Sequence, residues 1–493
     1  MGSVTETSLR ESANYIETRL FINGSFVDSF HGKKFRVVSP TTNRSVAEVF
    51  EATEEDVESA VQSAKRALPA WSSIDASERR RCLNNLADLI EQHVDEFAYL
   101  EAVSMGKPIS AYGDASVAVE TFRYYAGKAY DIQGVTSLNS SGHLNLSIRQ
   151  PYGITAAIIP WNVPLIMMSM KIGPSLAAGN CLILKSSEKA PLTALLLARL
   201  SKEAGIPDGV LNILSGFGRP CGDALARHPE IRKIAFTGSV ATGKLIQKAA
   251  AESNLKSCTL ELGGKSPLIV FEDADLAKAA QAAAHSITVN SGQVCMASSR
   301  VYVHESVAER FATLYKEAIE SIGATIGDPL DPKTMYGPVA DHAQAKGIAS
   351  HLQSAREQNC DFLLGGPATH TTESCFIRPV VLGGVPRSSQ ILRQEIFGPV
   401  ACLNTFTTEQ SVLDLANDTE YGLYASIFTL NINRAIRMAK GLESGSVAVN
   451  TSSPYYPMDL PLGGAKGSGT GREMGQEGLD AWSEVKSVYF DTT

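Results

Sequence analysis

Cys295 sits in Gly292-Gln293-Val294-Cys295-Met296-Ala297, with no second cysteine or histidine at the spacing of a metal site or redox couple. A lone thiol of this kind is a candidate nucleophile. Glu261, in Glu261-Leu262-Gly263-Gly264-Lys265-Ser266-Pro267, is a candidate base. A free thiol with a pKa of about 8.5 is only slightly ionised at neutral pH, so its site must activate it or relay its proton. Both residues stand among small neighbours, which predicts that a further body, a cofactor, approaches them closely. Each also has a plain reading: the cysteine as inert packing, and Glu261 as half of an ion pair with Lys265.

Other segments supply complementary chemistry. In Ile158-Ile159-Pro160-Trp161-Asn162-Val163-Pro164, two prolines fix a loop after an apolar strand, and the Asn162 amide can donate to an oxygen gaining negative charge. Leu184-Lys185-Ser186-Ser187-Glu188 closes the next strand with a cation and an acid suited to ribose hydroxyls. Phe236-Thr237-Gly238-Ser239-Val240-Ala241-Thr242-Gly243-Lys244 has the glycine spacing of a phosphate loop, but Leu245 follows where magnesium needs a hydroxyl. That departure argues against a nucleoside triphosphatase, while a helix N-terminus there still suits a pyrophosphate. Glu395-Ile396-Phe397-Gly398-Pro399 offers an acceptor for ribose and a ring to lie against a flat group. Pro461-Leu462-Gly463-Gly464-Ala465-Lys466-Gly467-Ser468-Gly469 reads as a shaped loop, with a flexible linker as the alternative.

These segments need a scaffold. Thr53-Glu54-Glu55-Asp56 opens a helix over 53–70, and one longer helical pattern runs from about Ser77 to Val103 before Gly106 and Pro108 end it. Apolar runs at 154–159, 181–184, 210–214, 231–236 and 267–271 then alternate with helical stretches such as 191–204, begun at Pro191 and ended by Gly205 and Pro207. This alternation predicts an α/β fold: a Rossmann-like parallel sheet covered on both faces, followed by a second α/β region over 264–465. Leu144, Leu146 and Ile148 alternate strictly with polar neighbours, and Val485–Phe490 is strand-like. Such strands need a sheet to join, either in another subunit or in a local hairpin.

At 493 residues the chain exceeds a single core, and 44% hydrophobic with 19% charged residues is ordinary for a globular enzyme. A net charge of −8 and no basic cluster argue against nucleic acid. The eight cysteines lack metal-ligand spacing, which predicts free thiols, a reducing compartment and no metal site. Met1-Gly2-Ser3-Val4-Thr5-Glu6 fails as a myristoylation signal at Glu6, and Glu6, Glu11 and Glu17 argue against a mitochondrial presequence. No apolar run spans a bilayer, so the expectation is a cytoplasmic protein without a membrane partner.

Taken in order, IIPWNVP, LKSSE, FTGS, ELGGKSP, GQVC, EIFGP and PLGGAKGSG resemble the aldehyde dehydrogenase superfamily, from about residue 20 to the C-terminus. The resemblance implies a cofactor domain (1–128 and 152–263), a catalytic domain (264–465) and a small β oligomerisation arm (129–151 and 472–493) serving a homodimer or homotetramer. It implies Cys295 as nucleophile, Glu261 as base for water, and Asn162 with the Cys295 N–H as oxyanion donors. It puts NAD, with NADP admissible, against Ile158, Trp161, Lys185, Glu188, Ser239, Glu395 and Phe397, where Glu188 disfavours a 2′-phosphate. Val163, Met167, Met170, Tyr455 and Leu462 fall in the substrate pocket. At Val163, Met170 and Leu462 many relatives carry large aromatics, which implies a wide apolar tunnel for a medium, long or aromatic aldehyde. Met168 reads better as core. The competing reading is a catalytically silent structural or binding protein on the same fold.

Overall fold

The computed structural model describes residues 16–366 and 374–493; Met1–Glu6 and Glu11, weighed above, lie outside the described residues. Its largest sheet places Ser257–Glu261, Lys233–Thr237, Ile154–Ile158, Cys181–Ser186 and Leu211–Ser215 side by side, all parallel. In chain order this is the 3-2-1-4-5 arrangement, whose crevice opens where Ile154–Ile158 meets Lys233–Thr237. The strands are buried on both faces, which is why they read as unbroken apolar runs. Gly469–Thr470 adds antiparallel to Ser257–Glu261 at one edge, and Leu20–Ile22 with Ser25–Val27 extends the other.

A second, seven-stranded sheet is built from Pro267–Val270, Arg300–His304, Asp361–Leu364, Val380–Gly383, Val400–Phe406, Tyr424–Phe428 and Ser446–Val449. Only Asp361–Leu364 runs antiparallel to its neighbour. The strand Pro267–Val270 begins six residues after Glu261, so the linker between the sheets is the ELGGKSP segment itself.

Several expectations need correction. The single helical pattern over 77–103 forms two helices, Ala76–Gln92 and Val94–Met105, interrupted at His93. The His93 N–H bonds back to Leu89 and Ile90, and its Nδ1 lies 2.8 Å from the Leu89 carbonyl, which closes the first helix. Pro191 sits just before the helix Leu192–Glu203 rather than inside it. His143–Pro151 does not lack an intrachain partner: it pairs antiparallel with Ser483–Asp491 along its whole length, and Thr136–Ser137 adds a third strand. Within the segment 472–482, Glu473 pairs with Lys171 and the helix Gly475–Asp480 packs on the helix Pro164–Ala177.

Candidate active site

The loop after Ile154–Ile158 carries Asn162 into a buried position, and Pro164 at the first turn starts the following helix. Asn162 Nδ2 donates to the Gln293 carbonyl at 2.9 Å, while Asn290 Nδ2 donates to the Asn162 carbonyl at 2.9 Å. These bonds join the loop to the turn before Cys295. That turn holds Asn290, Ser291 and Gly292 with φ of 49°, 54° and 73°, three left-handed residues in succession. Gln293 is fully buried and bolts the turn down: its amide donates to the Asn290 carbonyl and accepts from the Ala340 N–H at 2.8 Å.

Cys295 remains partly accessible at the wall of a cavity of about 570 Å³. Burial, then the carboxylates of Glu395 and Glu261, push its thiol up to about 12; the backbone N–H groups of Met296 and Cys295 act in the opposite sense. Glu261 ends its strand in the same cavity. Burial and the nearby Glu473 raise its carboxyl well above the usual range, against Lys171 and Arg472. Glu261 Oε1 and Lys265 Nζ are both buried without a hydrogen-bond partner, so the two do not form the ion pair weighed above. A carboxyl that is costly to ionise, beside a thiol that is costly to ionise, can receive the thiol proton and later take one from water.

Asn162, Val163, Met167, Met170 and Leu462 line this cavity with Cys295 and Glu261. Met168 points elsewhere and is fully buried. Tyr455 is a correction: its side chain is 57% exposed and its carbonyl accepts from Tyr424, while the adjacent Tyr456 lines the cavity.

Sequence reasoning missed Lys171, Thr237 and Glu473. Lys171 is fully buried, donates to Thr237 Oγ1 at 2.8 Å and is ion-paired to Glu473. Thr237 and Glu473 line the cavity beside Glu261. The available signal was one lysine inside the apolar helix Pro164–Ala177, which demands a buried partner. Lys107 and Asp114 also reach the cavity wall, where Lys107 binds Glu101 at 2.8 Å and Asp114 more closely still.

The residues expected around a cofactor lie along the crevice at the strand ends. Lys185 is buried and commits one N–H to the Ser186 carbonyl at 2.8 Å; an ammonium has three. Gly222 leaves space against it, since a Cβ there would stand 3.7 Å from the Lys185 chain and 3.8 Å from Ile158. Glu188 follows on the same strand end and accepts from Ser187. Ser239 caps the helix Val240–Ser253, accepting from the Thr242 N–H at 3.3 Å. Gly243 serves packing rather than phosphate: a Cβ there would lie 2.6 Å from Leu262. Glu395 accepts from the Gly264 N–H at 3.0 Å, and burial lifts its carboxyl to about 7. Phe397, at a φ of 54°, meets Trp161 edge-on at 5.4 Å, and Lys189 lies 4.9 Å from the Trp161 ring.

A crevice at the switch point of a parallel sheet, abutting a cavity with a thiol, a carboxyl and a tethered amide, is the place where a parallel α/β fold receives its ligand. The comparisons with known proteins give the class. The family model described as "Aldehyde dehydrogenase family" matches residues 26–488. The chain is 43% identical over 480 residues to an aldehyde dehydrogenase of Enchytraeus buchholzi, covering 96% of each. It is 42% identical over 476 residues to human retinaldehyde dehydrogenase 3, covering 96% of this chain and 92% of that one. Among solved structures, a mutant of the P. syringae indole-3-acetaldehyde dehydrogenase AldA, in complex with NAD+ and IAA, superposes with a TM-score of 0.94 at 37% identity, over 98% of this chain and 99% of that one. The chain belongs to the aldehyde dehydrogenase family.

Proposed function

We propose that the protein oxidises an apolar medium, long or aromatic aldehyde to its carboxylic acid with NAD, through an adduct on Cys295. The observation that carries this reading is the joint placement of Asn162, Glu261 and Cys295 on one cavity that Val163, Met167, Met170 and Leu462 also line. Lys185 and Glu188 would hold the adenosine ribose, the helix start at Ser239 the pyrophosphate, and Glu395 the nicotinamide ribose. Their uncommitted N–H groups and carboxylate oxygens, together with the space left by Gly222, fit that ligand. When bound, NAD supplies the hydride acceptor.

The residues divide the remaining work. Cys295 Sγ bonds to the aldehyde carbon as its proton passes to Glu261. The second N–H of Asn162, left over once Gln293 takes the first, and the Cys295 N–H stabilise the oxyanion. Loss of hydride leaves a thioester on Sγ. Glu261 releases the thiol's proton to solvent and, as a carboxylate again, removes one from water; the hydroxide attacks the thioester, and the Glu261 proton returns to the departing Cys295 thiolate as the acid leaves. Hydrolysis, rather than transfer to an external thiol, suits a base retained beside the nucleophile.

The names of two relatives, retinaldehyde dehydrogenase and indole-3-acetaldehyde dehydrogenase, support a bulky apolar substrate. Among the described residues no helix is long and apolar enough to cross a membrane. Eight unpaired cysteines support a reducing compartment, and we assign the cytosol. Val485, Tyr489 and Phe490 are exposed on the arm, which supports association of two or four copies through it. The test is NADH formation across alkanals of increasing length and aromatic aldehydes, with NAD and NADP compared by kcat/KM. The reading expects a maximum among the larger apolar aldehydes and preference for NAD; a maximum at acetaldehyde overturns the substrate class, and no NADH with any aldehyde overturns the activity.

A further inference from the structure

The wall of the substrate cavity changes chemistry along its length. Asn162, Glu261 and Met170 are buried at its inner end, whereas His285 and Ser321 are exposed to solvent at the other. His285 and Thr288 come from the last turn of the helix Leu276–Thr288, and Ser321 and Thr325 from the end of the helix Ala308–Gly323 and the turn after it. These helices share an apolar core distinct from the one behind Met170. Four hydrogen-bonding side chains from a second structural unit, Thr288 buried and His285, Ser321 and Thr325 nearer solvent, therefore line a cavity whose wall is mostly apolar.

Their hydrogen bonds decide what they offer. Thr288 Oγ1 donates to the Ala284 carbonyl at 2.6 Å, and Thr325 Oγ1 donates to the Ile322 carbonyl at 2.7 Å. Each threonine thus presents lone pairs and no proton. The His285 ring and the Ser321 hydroxyl make no hydrogen bond among the described residues, so each can both donate and accept. Although His285 reaches solvent, the wall desolvates its ring in part, which lowers its pKa and favours the neutral form. Of the acids and bases on the cavity wall, Lys107 and Asp114 are bound to each other, Glu473 is bound to Lys171 and Glu261 is reserved for Cys295, so a charged end group would find no free counter-ion.

We propose that this outer end is a subsite for a neutral hydroxyl at the far end of the aldehyde, bonding to the two side chains that can both donate and accept, Ser321 and the His285 imidazole. The substrate class becomes an amphipathic one: a reactive carbonyl, an apolar body and a distal hydroxyl. This rests on the reading of Cys295 as the point of attack, which fixes the aldehyde at the inner end.

The experiment measures kcat/KM for alkanals from hexanal to dodecanal against the ω-hydroxyaldehydes of the same lengths. At the length that spans the cavity, the hydroxyaldehyde should be favoured by about three- to tenfold, the range of one net hydrogen bond. The ratio should fall to about one or below in His285→Leu combined with Ser321→Ala, and His285→Gln, which keeps a donor and an acceptor, should retain it. No preferred hydroxyaldehyde at any length, or a preference that survives the double substitution, overturns the subsite while leaving aldehyde oxidation intact. NADH from neither series overturns both readings.

Discussion

Removing the Asn162 side chain should cost catalysis far more than it costs the fold. Its amide is oriented before any substrate arrives, because one N–H is spent on the Gln293 carbonyl at 2.9 Å and Gln293 is itself fixed by Asn290 and Ala340. The second N–H is what the developing oxyanion receives. A preorganised donor of this kind is typically worth about 2.7–4 kcal/mol. At about 1.36 kcal/mol per tenfold, Asn162→Ala should lower kcat by roughly 10²–10³. The Gln293 carbonyl keeps a weaker bond from Asn290 at 3.4 Å, so the loss of stability should stay near the ~1 kcal/mol of one hydrogen bond. The assay is steady-state kcat at saturating aldehyde and NAD, with a burst measurement to establish that chemistry limits the variant. Folding is checked by thermal unfolding. A folded Asn162→Ala enzyme with kcat within about threefold of wild type would refute the oxyanion role.

Three further outcomes follow from the same geometry. At Gly292 a Cβ would stand 2.3 Å from the Gly398 carbonyl at a φ of 73°, so Gly292→Ala must displace the turn that carries Cys295. A shift of about 1 Å there should lower kcat on the order of 10²-fold, and an unchanged kcat would contradict the argument. Lys107→Met leaves Glu101 and Asp114 buried without their cation and should destabilise the protein by about 3–5 kcal/mol, measured by denaturant unfolding; a loss below about 1 kcal/mol would show the cluster to be dispensable. Because burial and Glu473 raise the Glu261 carboxyl, its basic form is lost on acidification well above the usual carboxylate range. Acid release should therefore still climb with pH where an ordinary glutamate with a pKa of about 4.3 would already give a flat profile, and Glu261→Gln should remove that climb.

The strands Ile154–Ile158, Cys181–Ser186, Leu211–Ser215, Lys233–Thr237 and Pro267–Val270 were legible because they are buried on both faces, whereas the half-exposed strands of the second sheet, such as Asp361–Leu364, were not. The crevice was legible too, since Lys185 ends one strand of the sheet and Asn162 and Ser239 each follow another. The glycines were legible as close approaches but not as to what approaches. A Cβ at Gly264 would lie 2.4 Å from the Cys295 carbonyl, one at Gly463 2.7 Å from Glu261 Oε1, and one at Gly263 2.0 Å from Glu395 Oε2. These glycines let parts of the site pack against one another, where the sequence suggested room for a cofactor. Lys171 and Glu473 were not legible as a pair, because 302 residues separate them and only the tertiary fold supplies the partner. The choice of Tyr456 over Tyr455 depended on a one-residue register in an irregular segment, which no periodicity fixes.

The central claim is that Cys295 carries the acyl group and Glu261 clears it. Its most direct test is mass spectrometric peptide mapping of Glu261→Gln, quenched after mixing with NAD and an aldehyde that the wild-type enzyme oxidises. The account predicts about one equivalent of acyl adduct on the peptide containing Cys295, absent without NAD and absent in Cys295→Ser. NADH formed in the burst with no adduct on Cys295, or an adduct on another residue, would contradict it.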